Sequence, residues 1–366
     1  MAGLSKKEKI KKYLQCITVK KNKSVFEVFL TSMLFVLSSF YRFILILRLG
    51  FYDLGVFPVY NSRLKVISVG NITVGGTGKT PLVAMIAEFL LRKKQKVAII
   101  SRGYKAMNTE SGLVADEPLM LTKQLPDANI IINVNRLEAI KSLEAQGNKE
   151  VVILDDAFQN CGIKKSLDIV CINSLNPFGN NYLIPCGILR LPFAYLKRAD
   201  IFVLTHCGKK DKNSAQIIEQ LRKYNQNALI CKTRHVPECF YDFYSDQTQS
   251  LESLKGKKIA IVCAIAQPDN FKIMLESLTA DIGLKFYFPD HHNFSQTEIK
   301  NILAECDAQG ISLLVTTAKD EPRLKLFFNQ DQYAAQKLKI LVLKIKISLE
   351  ENEEGFIDRL SSIFAA

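Results

Sequence analysis

The chain is predicted to fold as an α/β protein around a P-loop. A parallel sheet carries helices on both faces, a second α/β unit follows, and a membrane-associated helical segment leads. Three observations predict this. Residues 66–81 read VISVGNITVGGTGKTP, a strand, a glycine-rich turn and a helix start. Short apolar runs alternate with amphipathic helical stretches through most of the chain. The first 57 residues pass from a lysine-rich lead into a long apolar run.

The elements follow in order. Lys6, Lys7, Lys9, Lys11, Lys12, Lys20, Lys21 and Lys23 stand against one early acid, Glu8. Residues 25–57 then read VFEVFLTSMLFVLSSFYRFILILRLGFYDLGVF. A solvated tail before a buried helix would show part of this pattern. Together the two parts suit a helix at an anionic, cytoplasm-facing membrane surface. A full span needs about 20 apolar residues. The uncharged stretch 28–41 is shorter, and Arg42 interrupts it. A helix lying in the interface is therefore expected over a true span. A cleavable signal is not expected, since arginines follow the apolar run and no small-residue cleavage site is present.

The glycine-rich turn builds a phosphate site. Closely wrapped backbone N–H groups and a helix N-terminus face an anion there. Thr73, Val74, Gly75, Gly76, Thr77, Gly78, Lys79 and Thr80 make up this loop. Lys79 can reach the outer phosphates of ATP, and the Thr80 hydroxyl can ligate Mg²⁺. Thr73 stands where the full pattern has glycine, and Gly75 and Gly76 supply the tight turn instead.

Strands are expected at 66–70, 97–100, 129–133, 151–155, 168–173 and 200–206, with helices at 81–94, 136–146 and 213–225. Residues 226–256 read as an extended connection. In the second unit, strands are expected at 258–265, 284–292, 312–320 and 338–347, and helices at about 268–279 and 295–309. The resulting division is 1–60, a basic membrane-associated helical segment; 61–228, the P-loop core; 229–256, a connecting ribbon; and 257–366, the smaller C-terminal α/β unit.

Ligands of such sheets sit at the carboxyl ends of the strands. Asp155 and Asp156 end the strand VVIL, where a carboxylate commonly holds a nucleotide's Mg²⁺, although a cap is the other use of Asp there. Arg102 follows another strand, and Asp116 precedes Glu117-Pro118. Asp290-His291 pairs a carboxylate with an imidazole, a combination suited to proton transfer. Arg136 and Arg190 are candidate anion contacts, and Arg136 equally suits a helix start.

Composition narrows the partners. With 366 residues and a net charge of +13, the chain favours phosphates or anionic surfaces. Its lysines cluster beside the apolar run, and it carries no nucleic-acid-binding motif. Nine dispersed cysteines with no C-x-x-C pair argue for reduced thiols and against a zinc ribbon.

The segments VGNITVGGTGKTP, SRGY, DEP, DDAFQN, NYLIPCGILRLP, FPDHHNF and TTAKD occur in one order between Val69 and Asp320. In that order the chain resembles the tetraacyldisaccharide 4′-kinases, the lipid A 4′-kinases. The resemblance implies a P-loop core joined by a β-ribbon to a smaller C-terminal α/β unit. It implies transfer of the ATP γ-phosphate to the 4′-hydroxyl of a tetraacylated glucosamine disaccharide 1-phosphate at the cytoplasmic face of the inner membrane. By the same resemblance Asp116 matches the catalytic aspartate, and His291 its partner. Lys79 and Thr80 match the phosphate and Mg²⁺ ligands. Asp155, Asp156 and Gln159 match the D-D-x-F-Q cluster, and Arg136 and Arg190 match arginines of the site. Glu117 falls beside the base.

The chain departs from the family pattern at Ala157 and Asn160, for glycine and histidine, and at Leu191 and Ala318, where acids are common. Retained activity with altered metal handling is expected. The implied partners are the glycolipid and a membrane surface, with no nucleic acid and no obligate protein partner. The competing expectation is a membrane-anchored P-loop switch ATPase acting on a protein. Against it, Val74 stands where such switches often carry lysine.

Overall fold

The computed structural model describes residues 17–18, 20, 24–102, 107–109, 112–114, 116–207, 213–290, 292–328 and 338–365. Side chains of 107–109, 112–114, 116, 117 and 119 are outside the description. In chain order the elements begin with α1 (Val25–Asp53), β1 (Lys65–Gly70), α2 (Lys79–Arg92), β2 (Val97–Ser101), β3 (Met107–Thr109) and β4 (Gly112–Val114). Next come α3 (Asp116–Gln124), β5 (Asn129–Ile132), α4 (Arg136–Gln146), β6 (Val151–Asp155), β7 (Leu167–Asn173), β8 (Ile201–Thr205) and α5 (Ser214–Arg222). The rest are β9 (Leu229–Asp242), β10 (Thr248–Gln249), β11 (Lys258–Cys263), α6 (Pro268–Ser277), β12 (Asp281–Tyr287), α7 (Gln296–Ala308), β13 (Leu313–Thr317), α8 (Glu321–Lys325), β14 (Lys339–Glu351) and α9 (Glu353–Ser362).

Two compact units result. The first holds Met1–Arg102, Leu125–Arg234 and Leu349–Ala366, and the second Gly103–Gln124 and His235–Ser348. The chain passes from one unit to the other inside β9 and inside β14. The segment read from the sequence as an extended connection holds the 14-residue strand β9 and the short strand β10 that pairs antiparallel with it. Helix α3, although early in sequence, groups with the second unit.

In the first unit the strand order is β9-β8-β7-β1-β6-β2-β5. β1 lies between β6 and β7, parallel to both. β1, β2, β6, β7 and β8 are buried along nearly their whole length, which is the mark of a sheet covered on both faces. Gly70 ends β1 because nothing larger fits. A Cβ there would lie 2.6 Å from the Phe158 Cβ and 2.7 Å from its backbone nitrogen.

The second unit shows the same logic in the order β12-β11-β13-β14-β9. Alternate residues of β11 and β13 enter opposite cores. Ala260, Val262 and Leu314 join the one containing α7 residues Ile299 and Ile302. Ile259, Ile261, Leu313 and Val315 join the one containing α6 residues Phe271 and Leu275. That period of two places one helix over each face. β12 ends at Tyr287, ahead of Pro289, so Asp290 follows the strand instead of completing it.

α1 is held at its start by a capping box between Ser24 and Glu27. It is long and apolar enough to cross a membrane. Its buried residues Glu27, Leu34, Ser38, Leu45 and Leu49 recur at intervals of seven and four, which marks one stripe of the helix. That stripe docks on the first unit. The Ser38 hydroxyl donates to the Leu183 carbonyl at 2.9 Å, and the Tyr195 hydroxyl to the Leu45 carbonyl at 2.9 Å. Elsewhere on the helix Phe26, Phe29, Val36, Phe40 and Phe43 are 58–69% exposed.

Candidate active site

The phosphate loop is built where the sequence places it. β1 ends at Gly70, α2 opens at Lys79, and Gly78 supplies the left-handed turn between them with φ 74°. Gly75 takes φ 113°, which a side chain would resist. Buried polar groups brace the loop from behind. The Asn71 amide donates to the Thr77 hydroxyl at 2.9 Å, and the Thr205 hydroxyl at the end of β8 donates to the Thr77 carbonyl at 3.0 Å. Thr73, Thr77 and Thr80 are buried, whereas Gly75 and Gly76 are exposed. Val74 N–H donates to the Ile188 carbonyl at 2.8 Å.

Parallel pairing sets Asp155 of β6 beside Val69 of β1, so the D-D-x-F-Q turn sits next to the phosphate loop. Asp156 takes a positive φ of 51° there. Its carboxylate accepts both arms of the Arg190 guanidinium, at 2.6 and 2.9 Å, and lies 3.6 Å from the Lys79 ammonium. Burial opposes ionisation of Asp156, but the Arg190 fork and the Lys79 charge outweigh it and hold the carboxyl down at about 2.

Arg190 is delivered by a short antiparallel contact. Thr73 bridges Leu189, and Arg190 N–H donates to the Ile72 carbonyl at 2.7 Å. Its guanidinium also donates to the Asn71 side-chain oxygen. Arg136, the first residue of α4, turns back to donate to the Asp155 and Asp156 carbonyls at 2.6 and 3.0 Å. Burial pulls this guanidinium below its ordinary value, against the raising effect of Asp156 and Asp155. The Gln159 amide donates to the Asp156 carbonyl at 3.1 Å. Arg136 and Gln159 therefore fix the backbone of the turn that presents the two acids.

The structure thus brings Lys79, Thr80, Asp155, Asp156, Gln159, Arg136 and Arg190 to the strand ends of one unit. Asp116 begins α3 in the second unit, but its side chain lies outside the described residues, as does His291 entirely. Leu191, where the resemblance suggests an acid, is 4% exposed and packs with Ile72, Leu183 and Leu196. Asn71 was not singled out from the sequence. Its signal was a buried amide immediately after an apolar strand.

A metal fits this donor set. Thr80 brings a hydroxyl in the first turn of α2, and Asp155 is 3% exposed at the neighbouring strand end. Among the described residues no cluster of three or more His, Cys, Asp or Glu could hold an ion alone. Mg²⁺ suits such a place, because it usually takes one or two protein oxygens and completes its shell with phosphates and water.

Comparison with known proteins identifies the family. The family model described as tetraacyldisaccharide-1-P 4′-kinase matches residues 30–365. The tetraacyldisaccharide 4′-kinase of Anaeromyxobacter sp. (strain K) is 33% identical, covering 76% of this chain and 77% of its own length. That of Halothermothrix orenii is 31% identical over 94% of this chain and 96% of its own. The crystal structure of LpxK from Aquifex aeolicus in complex with ATP matches with TM-score 0.69 at 25% identity, covering 92% of this chain and 99% of that one.

Proposed function

Because the chain belongs to the tetraacyldisaccharide-1-P 4′-kinase family, we propose a specific division of labour among its residues in phosphorylating that lipid. The enzyme is an ATP-dependent lipid kinase. It phosphorylates the 4′-hydroxyl of a tetraacylated glucosamine disaccharide 1-phosphate and yields the bis-phosphorylated lipid A precursor. The observation that carries this is a family match continuous from the apolar helix to the last helix.

Phosphoryl transfer depends on positioning and charge neutralisation more than on covalent chemistry. The N–H groups of Gly75 to Thr80 and the Lys79 ammonium hold the β- and γ-phosphates of ATP. Thr80 and Asp155, with Asp156 beside them, would hold Mg²⁺, which supplies positive charge to the phosphate oxygens. Arg190 keeps Asp156 ionised and oriented toward Lys79. Arg136 locks the turn from behind. Asp116 accepts the proton of the sugar hydroxyl, and His291 tunes that carboxylate. The exposed phenylalanine and valine side chains of α1 enter the acyl region of a membrane, while its docked stripe keeps the helix lying along the protein. This arrangement supports an interfacial helix on the cytoplasmic face, where ATP is available.

Purified protein, radiolabelled ATP and the tetraacyldisaccharide 1-phosphate in mixed micelles test the assignment. Asp116→Ala is expected to lose about a hundredfold or more in turnover, the usual scale for a general base, while ATP still binds. Unchanged turnover would remove Asp116 from that role.

A further inference from the structure

The motif TTAKD continues into EPRLK, and this segment does something the phosphate loop does not explain. We propose that Asp320, Glu321 and Arg323 form a positioning clamp that holds helix α3, which Asp116 begins, and the residues on either side of His291. The clamp rests on the roles proposed above for those two residues, and all of its contacts lie within the second unit.

Arg323 is 1% exposed and Asp320 fully buried. One Asp320 oxygen accepts from Arg323 at 2.9 Å. The other accepts from the Ala264 N–H at 3.0 Å and the Thr317 hydroxyl at 2.7 Å, which ties the segment to the ends of β11 and β13. With its base so fixed, the Arg323 guanidinium reaches the His292 carbonyl at 3.0 Å. His292 is further held by Glu298 at 3.1 Å and by stacking on Phe288. On the other side of position 291, Asp290 accepts from Lys319 at 3.0 Å. Both neighbours of His291 are therefore anchored, and two of the anchors, Lys319 and Arg323, come from one five-residue stretch.

The same stretch reaches the other partner. Glu321, whose side chain is 5% exposed, accepts from Lys123 at 2.7 Å, from Lys325 at 2.8 Å and from the Tyr241 hydroxyl. Lys123 also lies 4.3 Å from the Tyr241 ring centre and 2.5 Å from Asp246. Lys123 sits in the last turn of α3, the helix that Asp116 begins. A helix transmits rotation along its length, so a fixed Lys123 fixes the direction of the first turn. Glu321 thus holds the aspartate's helix and Arg323 the histidine's loop. The two grips are two residues apart on α8.

A positioning role predicts coupling to His291 and not to nucleotide binding. Arg323→Lys, His291→Ala and the double variant are compared in the full-length protein, with thermal unfolding followed in parallel. Arg323→Lys is expected to lower kcat about tenfold with KM for ATP unchanged, because small misplacements cost rate before they cost binding. In the His291→Ala background the same change should cost less than about twofold, the non-additivity expected of residues acting through one another. Equal losses in both backgrounds, or a matching rise in KM for ATP, overturn the clamp and leave the kinase assignment standing. Should His291→Ala itself leave kcat unchanged, the proposed role of His291 falls, and the clamp with it. If Arg323→Lys does not fold, Glu321→Gln in Asp116 and Asp116→Ala backgrounds asks the same question through Lys123. Additive losses there overturn the clamp equally.

Discussion

Two Asp–Arg pairs of the molecule, Asp156–Arg190 and Asp320–Arg323, look alike on paper and sit in opposite environments. Asp156 and Arg190 stand at the strand ends of the first unit with 31% and 24% of their side chains exposed. Asp320 and Arg323, in the second, are sealed at 0% and 1%. The first pair is partly open to solvent and sits beside a further charge, the Lys79 ammonium. The second is tied to backbone and neighbouring side chains, among them the Ala264 N–H, the Thr317 hydroxyl and the His292 and Lys319 carbonyls. Burial, more than residue type, separates the two pairs. A desolvated pair is costly to assemble and worse to break, so it serves best where nothing has to move.

The sharpest way to break this comparison is to remove the charge facing the open pair. Lys79→Met should reduce lipid phosphorylation by about a thousandfold, the scale for deleting one preorganised charge at a transition state, with little change in unfolding. Turnover within tenfold of the parent would mean the phosphates are held elsewhere. At the sealed pair the expectation reverses. Asp320→Ala leaves Arg323 buried without its partner and should cost about 3–5 kcal/mol of stability, read from urea unfolding. Arg190→Gln should cost less than about 1 kcal/mol, because water already reaches that pair, while lowering turnover. Similar stability losses at both sites would erase the distinction.

A smaller effect is expected where the two-acid turn meets β1. Gly70→Ala would drive a methyl against the Phe158 backbone, 2.7 Å away, and the turn must shift. Overpacking of this kind costs about 1–3 kcal/mol. Turnover should fall along with stability, since Asp155 and Asp156 ride on the displaced segment. A stable variant with parental activity would show that the turn tolerates movement.

How much of this was legible beforehand depended on how local the cause was. The phosphate loop announces itself, because Gly75 and Gly78 need backbone angles other residues avoid and Lys79-Thr80 must open a helix. The strands of both units are apolar runs whose burial the sequence carries directly. The partner of Asp156 was not legible. Arg190 reaches it only because Thr73 bridges Leu189, a contact set by a loop more than a hundred residues downstream. The clamp was hidden for a different reason. The segment DEPRLK has the composition of a solvated helix, and nothing local reveals that Asp320, Glu321 and Arg323 are all buried. β9 was expected only as part of a connecting ribbon and not as a strand of the sheet, since its polar residues are only half covered and break the apolar run.

The gentlest test titrates the open pair. The Asp156 carboxyl is held at about 2, against an ordinary value of 3.8. An acid held low stabilises the fold above its unfolded value and loses that contribution as pH falls through its folded one. The relevant window therefore runs downward from 3.8 to about 2. Asp156→Asn cannot titrate, so its urea midpoint should fall less steeply across this window than the parent's, with the two curves parallel above it. Curves that stay parallel to the bottom of the window would mean that Arg190 and Lys79 do not hold the carboxylate in the folded protein. The open pair would then be no more than two neighbours at a strand end, and the contrast with the sealed one would lose its electrostatic half.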